Sequence, residues 1–278
     1  METPLDGSQN GAAYLHGDAA RRSCVVLIGA SNVAYAFPRL AEGLLVRRGC
    51  DVFAAHGHGR SLGMRSSVFS RELPGVLESG LWPALESHVR SLGEATGPRV
   101  ALVTDIGNDL LYQVSLQQVI SWLDECLERL ASLGFETVVA TLPMSSVMSM
   151  SALRFTVARK ILFPDCPMTW DDVRTYSNDL DAAVRKTAEA RGLEVIVPRG
   201  KWYKADPIHI RQARQRRAFQ RMCAHWKSLD PVLFGKFPWD RAHFWWNKRP
   251  YLRWVRRSMR IQPQPVWRGP KGNELRMY

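Results

Sequence analysis

The sequence predicts a three-layer α/β/α fold around a parallel sheet of five strands, and three observations carry that prediction. Five short runs rich in β-branched residues are apolar throughout rather than alternating, as suits strands covered on both faces. Patterns of helical period separate them, giving the βαβ repeat that right-handed crossovers wind into an open sheet with helices on both sides. The 278 residues, 46% of them hydrophobic, suffice to bury such a core.

Taken in order, the strands are "CVVLIG" at 24–29, "CDVFAA" at 50–55, "RVALVTD" at 99–105, "ETVVATL" at 136–142 and "LEVIVP" at 193–198. After the first, "FPRLAEGLLVRRG" places Leu40, Leu44 and Leu45 at helical spacing and stops at Gly49. After the third, Ser115 caps a helix whose apolar repeat is Val119, Trp122, Leu123, Cys126, Leu127 and Leu130, ending at Gly134. The last helix lies in "RQARQRRAFQRMCAHWKSL". The connections after the second and fourth strands are long for this architecture and belong at the sheet's carboxyl edge, where ligands bind in such folds. The expected division is a flexible arm over 1–22, a flavodoxin-like α/β/α domain over 23–229, and a basic, aromatic extension over 230–278.

Charge is unevenly spread. Residues 199–278 hold 20 Lys/Arg against four acids, whereas the rest of the chain is slightly acidic. Such a segment attracts anionic surfaces through its summed field. Its Trp and Arg, interleaved in "FPWDRAHFWWNKRPYLRWVRR", suit stacking on nucleic acid or lying on anionic lipid. Packing of Trp239, Phe244, Trp245 and Trp246 against the fold or another subunit is the first expectation. No apolar run is long enough for a transmembrane helix, and the N-terminus lacks the layout of a secretory signal, so a cytoplasmic protein is expected. Five cysteines without CxxC spacing read as free, buried thiols.

The turn "GASNVA" after the first strand admits two chemistries. A dinucleotide loop needs glycine where Asn32 stands and an acid at the tip of the second strand, which reads "AAHGHGR"; only Arg60, facing a 2′-phosphate, keeps that reading open. A nucleophilic Ser31 needs a base, an acid to orient it, and donors for an oxyanion. Asp206 and His209, three residues apart in "KADPIHI" after the fifth strand, can share one loop and face the first turn. Asn108 ends the third strand with a side-chain amide, and glycines follow the second. Each residue also has a plain structural use: Ser31 as a helix cap, Asp206 and Asn108 as turn formers, Asp109 as a buried structural acid. His56 and His58 lack an evident third metal ligand.

"GASN" at 29–32, a glycine after the second strand, "GND" at 107–109 and "DPIH" at 206–209 together resemble the four blocks of the SGNH hydrolases, also called GDSL esterases and lipases, over roughly residues 24–228. The resemblance implies Ser31 as nucleophile, His209 as general base and Asp206 as its orienting acid. It implies an oxyanion hole of the Ser31 N–H, a glycine N–H and Asn108, and hydrolysis of a small-molecule carboxylic ester without metal or cofactor. Gly59 is favoured over Gly57 and Gly63 because Arg60 and Ser61 suit the small-polar step that follows the family's glycine. Two positions depart from the pattern. Ala30 stands where the family has Asp, and Ile106 where it has Gly. The alternative is a weakly active or inactive protein of the same fold that holds nucleic acid or anionic lipid through its basic extension.

Overall fold

A computed structural model describes residues 22–68, 71–93, 97–162, 166–203, 206–235 and 249–278. The N-terminal arm, apart from Arg22, and the four aromatics of 239–246 lie outside the described residues.

In chain order the elements are β1 (Cys24–Ile28), α1 (Ser31–Ala41), β2 (Asp51–Ala55), β3 (Ser66–Val68), β4 (Arg71–Leu73), α2 (Leu81–Leu92), β5 (Arg99–Val103), α3 (Asn108–Leu111), α4 (Leu116–Ser132), β6 (Glu136–Ala140), α5 (Met144–Val147), α6 (Ala152–Leu162), α7 (Trp170–Ala190), β7 (Glu194–Ile196), α8 (Gln212–Cys223), β8 (Leu252–Val255), β9 (Ser258–Ile261), β10 (Trp267–Arg268) and β11 (Glu274–Met277). The five expected strands are β1, β2, β5, β6 and β7, and they lie side by side in the order β2-β1-β5-β6-β7, all parallel. That order is the flavodoxin-like one, with its switch point between β1 and β5.

Alternation along the strands feeds two cores. Val25, Leu27, Val52, Ala54, Val100 and Leu102 face α1 and α8; Val26, Ile28, Phe53, Ala101 and Val103 face α2, α4 and α7. α4 starts at Ser115, whose hydroxyl accepts from the Gln118 N–H at 3.2 Å. α7 starts at a capping box in which Thr169 and Asp172 serve each other's backbone N–H. α1 contains Pro38, continues into a wider π-type turn over Glu42–Arg48, and stops at Gly49, whose φ of 76° an L-residue tolerates poorly. The five cysteines are free and buried, as the sequence predicts.

Among the described residues the sheet has seven strands, two more than the sequence suggested. β11 runs parallel to β2 along its free edge, and β10 pairs antiparallel with β11. A second, four-stranded antiparallel sheet in the order β3-β4-β8-β9 joins the long connection after β2 to the C-terminal segment. The C-terminal segment thus contributes strands to both sheets. Neither contribution was readable because β10 and β11 are short, and β8 and β9 carry arginines rather than an apolar run. No helix among the described residues is long and apolar enough to cross a membrane.

Candidate active site

Ser31 is the first residue of α1, at the carboxyl end of β1 and beside the switch point of the sheet. Its hydroxyl lies 2.9 Å from His209 Nε2. On the other side of the ring, Nδ1 hydrogen-bonds Asp206 Oδ2. Asp206 Oδ1 accepts from the backbone N–H of Ile208 at 3.1 Å and of His209 at 3.3 Å, so one carboxylate fixes both the ring and its loop. Burial pushes the Asp206 carboxyl up, but the His209 hydrogen bond and charge, with the two backbone N–H groups, bring it below the ordinary value. An ionised Asp206 on Nδ1 selects the tautomer in which Nε2 accepts from the Ser31 hydroxyl.

The missing acid at position 30 is supplied from another strand. Helix α1 has no acid in its first turn and no side-chain cap of its own, since Ala30 precedes it. Asp105, just past β5, fills that role: its Oδ2 accepts from the N–H groups of Ala30 at 2.9 Å, Asn32 at 3.0 Å and Val33 at 3.3 Å. These are N–H groups a helix start otherwise leaves unpaired. Asp105 adopts φ 61°, a left-handed conformation that Asp tolerates better than most residues. Asn32 links this cap to the histidine loop. Its Nδ2 donates to Asp105 Oδ1 and to the Ile208 carbonyl, both at 2.8 Å, and its Oδ1 accepts from the Ile210 N–H at 2.7 Å. His209 therefore sits between two backbone groups pinned by one amide.

Sequence reasoning missed Asp105 and Asn32 as site residues. The available signal was negative, a helix beginning at Ala-Ser-Asn with no acid of its own, beside an unassigned aspartate in "VTDIGND".

Asn108 opens α3 and donates from Nδ2 to the Arg60 carbonyl at 3.3 Å, which ties it to the turn after β2. Gly59 in that turn has φ 63°, and its carbonyl accepts from the Tyr112 hydroxyl at 2.7 Å. The neighbouring His58 ring meets Tyr35 edge-on with centroids 4.8 Å apart, and Tyr35 meets His209 at 5.4 Å. The turn at 57–59 thus stands near His209 as well as Asn108. Gly63 lies elsewhere, against Trp122, where a Cβ would stand 2.1 Å from the indole. Asp109 is buried and accepts from the Leu62 N–H at 3.1 Å, consistent with the structural role expected. Burial, partly offset by hydrogen bonds from Ser61 and Leu62, raises its carboxyl to about 6.

His56 packs on Phe37 with ring centroids 4.5 Å apart, and burial, then Arg60 and His58, lower it to about 3. Among the described residues no group of three His, Cys, Asp or Glu side chains is placed to hold a metal ion. Arg60 is itself buried; its guanidinium binds the Pro74, His56 and Tyr278 carbonyl oxygens, which gives it a structural use in place of a nucleotide phosphate.

Beside Ser31 opens a cavity of about 280 Å³, lined by apolar side chains of the connections after β5 and β6 and the helices they feed, among them Leu110, Leu142, Val147, Phe155, Trp170 and Val173. Arg154 and Arg159 stand on its wall.

No family model and no curated protein matches the sequence. Solved structures similar in fold include a lipolytic protein of the G-D-S-L family from Veillonella parvula, at 12% identity and TM-score 0.45, covering 74% of this chain and all of that one. The psychrotrophic esterase EstA from Pseudoalteromonas sp. is similar at 11% identity and TM-score 0.42 over 74% of this chain and 98% of its own. The acetyl xylan esterase AlAXEase is similar at 14% identity and TM-score 0.46 over 73% and 99%.

Proposed function

We propose that this chain is a serine hydrolase acting on carboxylic esters through an acyl-Ser31 intermediate. The observation that carries the reading is the hydrogen-bonded line Ser31–His209–Asp206 ending in an apolar cavity. As Ser31 attacks the ester carbonyl, His209 Nε2 takes its proton, and Asp206 stabilises the imidazolium on the far nitrogen. The oxyanion is met by the Ser31 N–H, which as a first-turn group has no intrahelical partner, by the Asn108 side chain and by the Gly59 N–H. His209 then returns the proton to the leaving alcohol. A water molecule, activated the same way, releases the acid. The cavity takes the acyl group, and its volume suits a short or medium chain.

The reading is tested with p-nitrophenyl butyrate and a fluorophosphonate probe. Wild-type protein should release p-nitrophenol and take the probe at Ser31; Ser31→Ala should lose both, with activity down by about 10³-fold or more. Equal rates in the two proteins would sink the assignment.

A further inference from the structure

The small antiparallel sheet lines up arginines that the reaction above does not use. In its ladder Arg253 of β8 stands directly opposite Arg260 of β9, and Arg71 of β4 opposite Val255, two residues along from Arg253. Directly opposed residues share a face, as do residues two apart, so Arg71, Arg253 and Arg260 project from one face. Like charges facing each other across a ladder are destabilising. The three pair with no carboxylate among the described residues; Glu72, on the opposite face, pairs with Arg65. Arg253 Nη1 is buried and has no hydrogen-bond partner.

The same face packs on the active-site turn. Val68 and Leu73 are on it, opposite Arg71 and Ser66 in register. A Cβ at Gly59 would stand 2.2 Å from Val68 Cγ2, and one at Gly57 2.2 Å from Leu73 Cδ1. His58 between those glycines connects through Tyr35 to His209. The arginines therefore share the face that packs on the His58 turn, and none of the three lines the acyl cavity. Arg71 also helps to lower the His58 pKa, after burial and His209, and Arg71, Arg249 and Arg260 lower that of Arg253 after burial.

We propose that Arg71, Arg253 and Arg260 form an anion subsite for a phosphate group on the alcohol portion of the ester cleaved at Ser31. This rests on the esterase reading. Arginine suits the task because its planar fork pairs with two phosphate oxygens at once, and neighbouring strands about 4.8 Å apart let two guanidinium groups share one phosphate. An anion there relieves the repulsion between the opposed guanidinium groups.

The experiment uses the full chain, 1-butyryl-glycerol 3-phosphate followed by acid release, and p-nitrophenyl butyrate. Replacing the two directly opposed arginines of the three, as R253Q/R260Q, should lower the ratio of kcat/KM for the phosphate ester to that for the uncharged ester at least tenfold, through KM. An unchanged ratio overturns the proposal. A second arm needs no turnover: inorganic pyrophosphate should raise the melting temperature of the Ser31→Ala chain, and R253Q/R260Q in that background should remove the shift while itself melting higher without ligand. Equal shifts in both chains overturn the subsite. If wild-type protein hydrolyses neither ester while the pyrophosphate shift persists and depends on the arginines, the esterase reading has failed and the anion site stands alone. If single-stranded RNA binds through these arginines more tightly than the phosphate ester, the face is a nucleic-acid surface and the proposal falls.

Discussion

Asn32 uses both ends of its amide on groups that flank His209, and it is only 6% exposed, so water cannot replace it cheaply. Asn32→Ala frees the 208–210 backbone and leaves the Ile210 N–H buried without an acceptor. Stability should fall by about 2–3 kcal/mol. More informative is the kinetic split: kcat on p-nitrophenyl butyrate should drop about 10- to 100-fold with a much smaller change in KM, because the apolar side chains of the cavity wall stay in place while His209 is displaced. A proportional loss in both constants would mean that Asn32 only holds the fold. Asp105 has a matching test. Asp105→Asn preserves the residue type that tolerates φ 61° but removes the charge at the helix start, so it should lie between wild type and Asp105→Ala in both melting temperature and kcat. Asp109 gives a pH signature. Its folded value, about 6 against an ordinary 3.8, means that the native state holds a proton more tightly than the unfolded chain. Stability from that group is complete below about pH 4 and is lost as pH rises through 6, a cost of about 3 kcal/mol at neutral pH. The melting temperature of Asp109→Asn relative to wild type should therefore be higher at pH 8 than at pH 4.5, by differential scanning calorimetry.

The elements show which parts of the fold a sequence discloses. β1, β2, β5 and β6 are unbroken or nearly unbroken buried runs, so composition alone marks them. α4 is a long amphipathic stretch with a serine at its start and glycine just past its end, signals local to the helix. Of the candidate site, the line of Ser31, His209 and Asp206 was readable because their residue types and strand-end positions suit a chemistry. Asp105 was not readable, because its task is set by the start of α1, 72 to 75 residues earlier, and nothing near it in sequence reports that. β10 and β11 were not either: Leu275 and Met277 alternate with Glu274 and Arg276, a four-residue pattern too short to separate from a loop. The turn at Gly59 tests the element proposed to carry the third oxyanion donor. Ala there meets a positive φ, Val68 at 2.2 Å and the Tyr112 hydroxyl at 2.8 Å, so the turn must shift. Gly59→Ala should reduce kcat about 10²-fold, near the cost of one oxyanion donor. Gly63→Ala, whose nearest neighbours are Trp122 ring atoms, should chiefly lower the melting temperature.

At the scale of the molecule, the basic C-terminal segment is bound into both sheets, and this decides how its role must be tested. Leu275 is fully buried against β2, and Met277 and Tyr278 nearly so. The Asn273 amide donates to the Leu45 and Cys50 carbonyls at 2.9 and 3.2 Å, closing the end of the π-type turn after α1. The Glu274 N–H reaches Asp51 Oδ1 at 2.8 Å, where Asp51 is wholly buried and also faces Arg22 and His88. Removing residues 263–278 takes away the buried side chains of Leu275 and Met277, worth about 1.5–3 kcal/mol each, and opens the edge of β2. It also leaves the Asp51 carboxylate and the Arg60 guanidinium short of partners, at about 1–3 kcal/mol for each buried group. The sum reaches the whole stability of an ordinary domain. A chain ending at Gln262 should therefore be recovered as aggregate or melt without a cooperative transition, and its lost activity says nothing of substrate binding. Leu275→Asp should fail the same way with every arginine retained. If instead the shortened chain melts within a few degrees of wild type and keeps its ester hydrolysis, β11 only decorates an edge, and the five parallel strands suffice to hold Ser31 against His209.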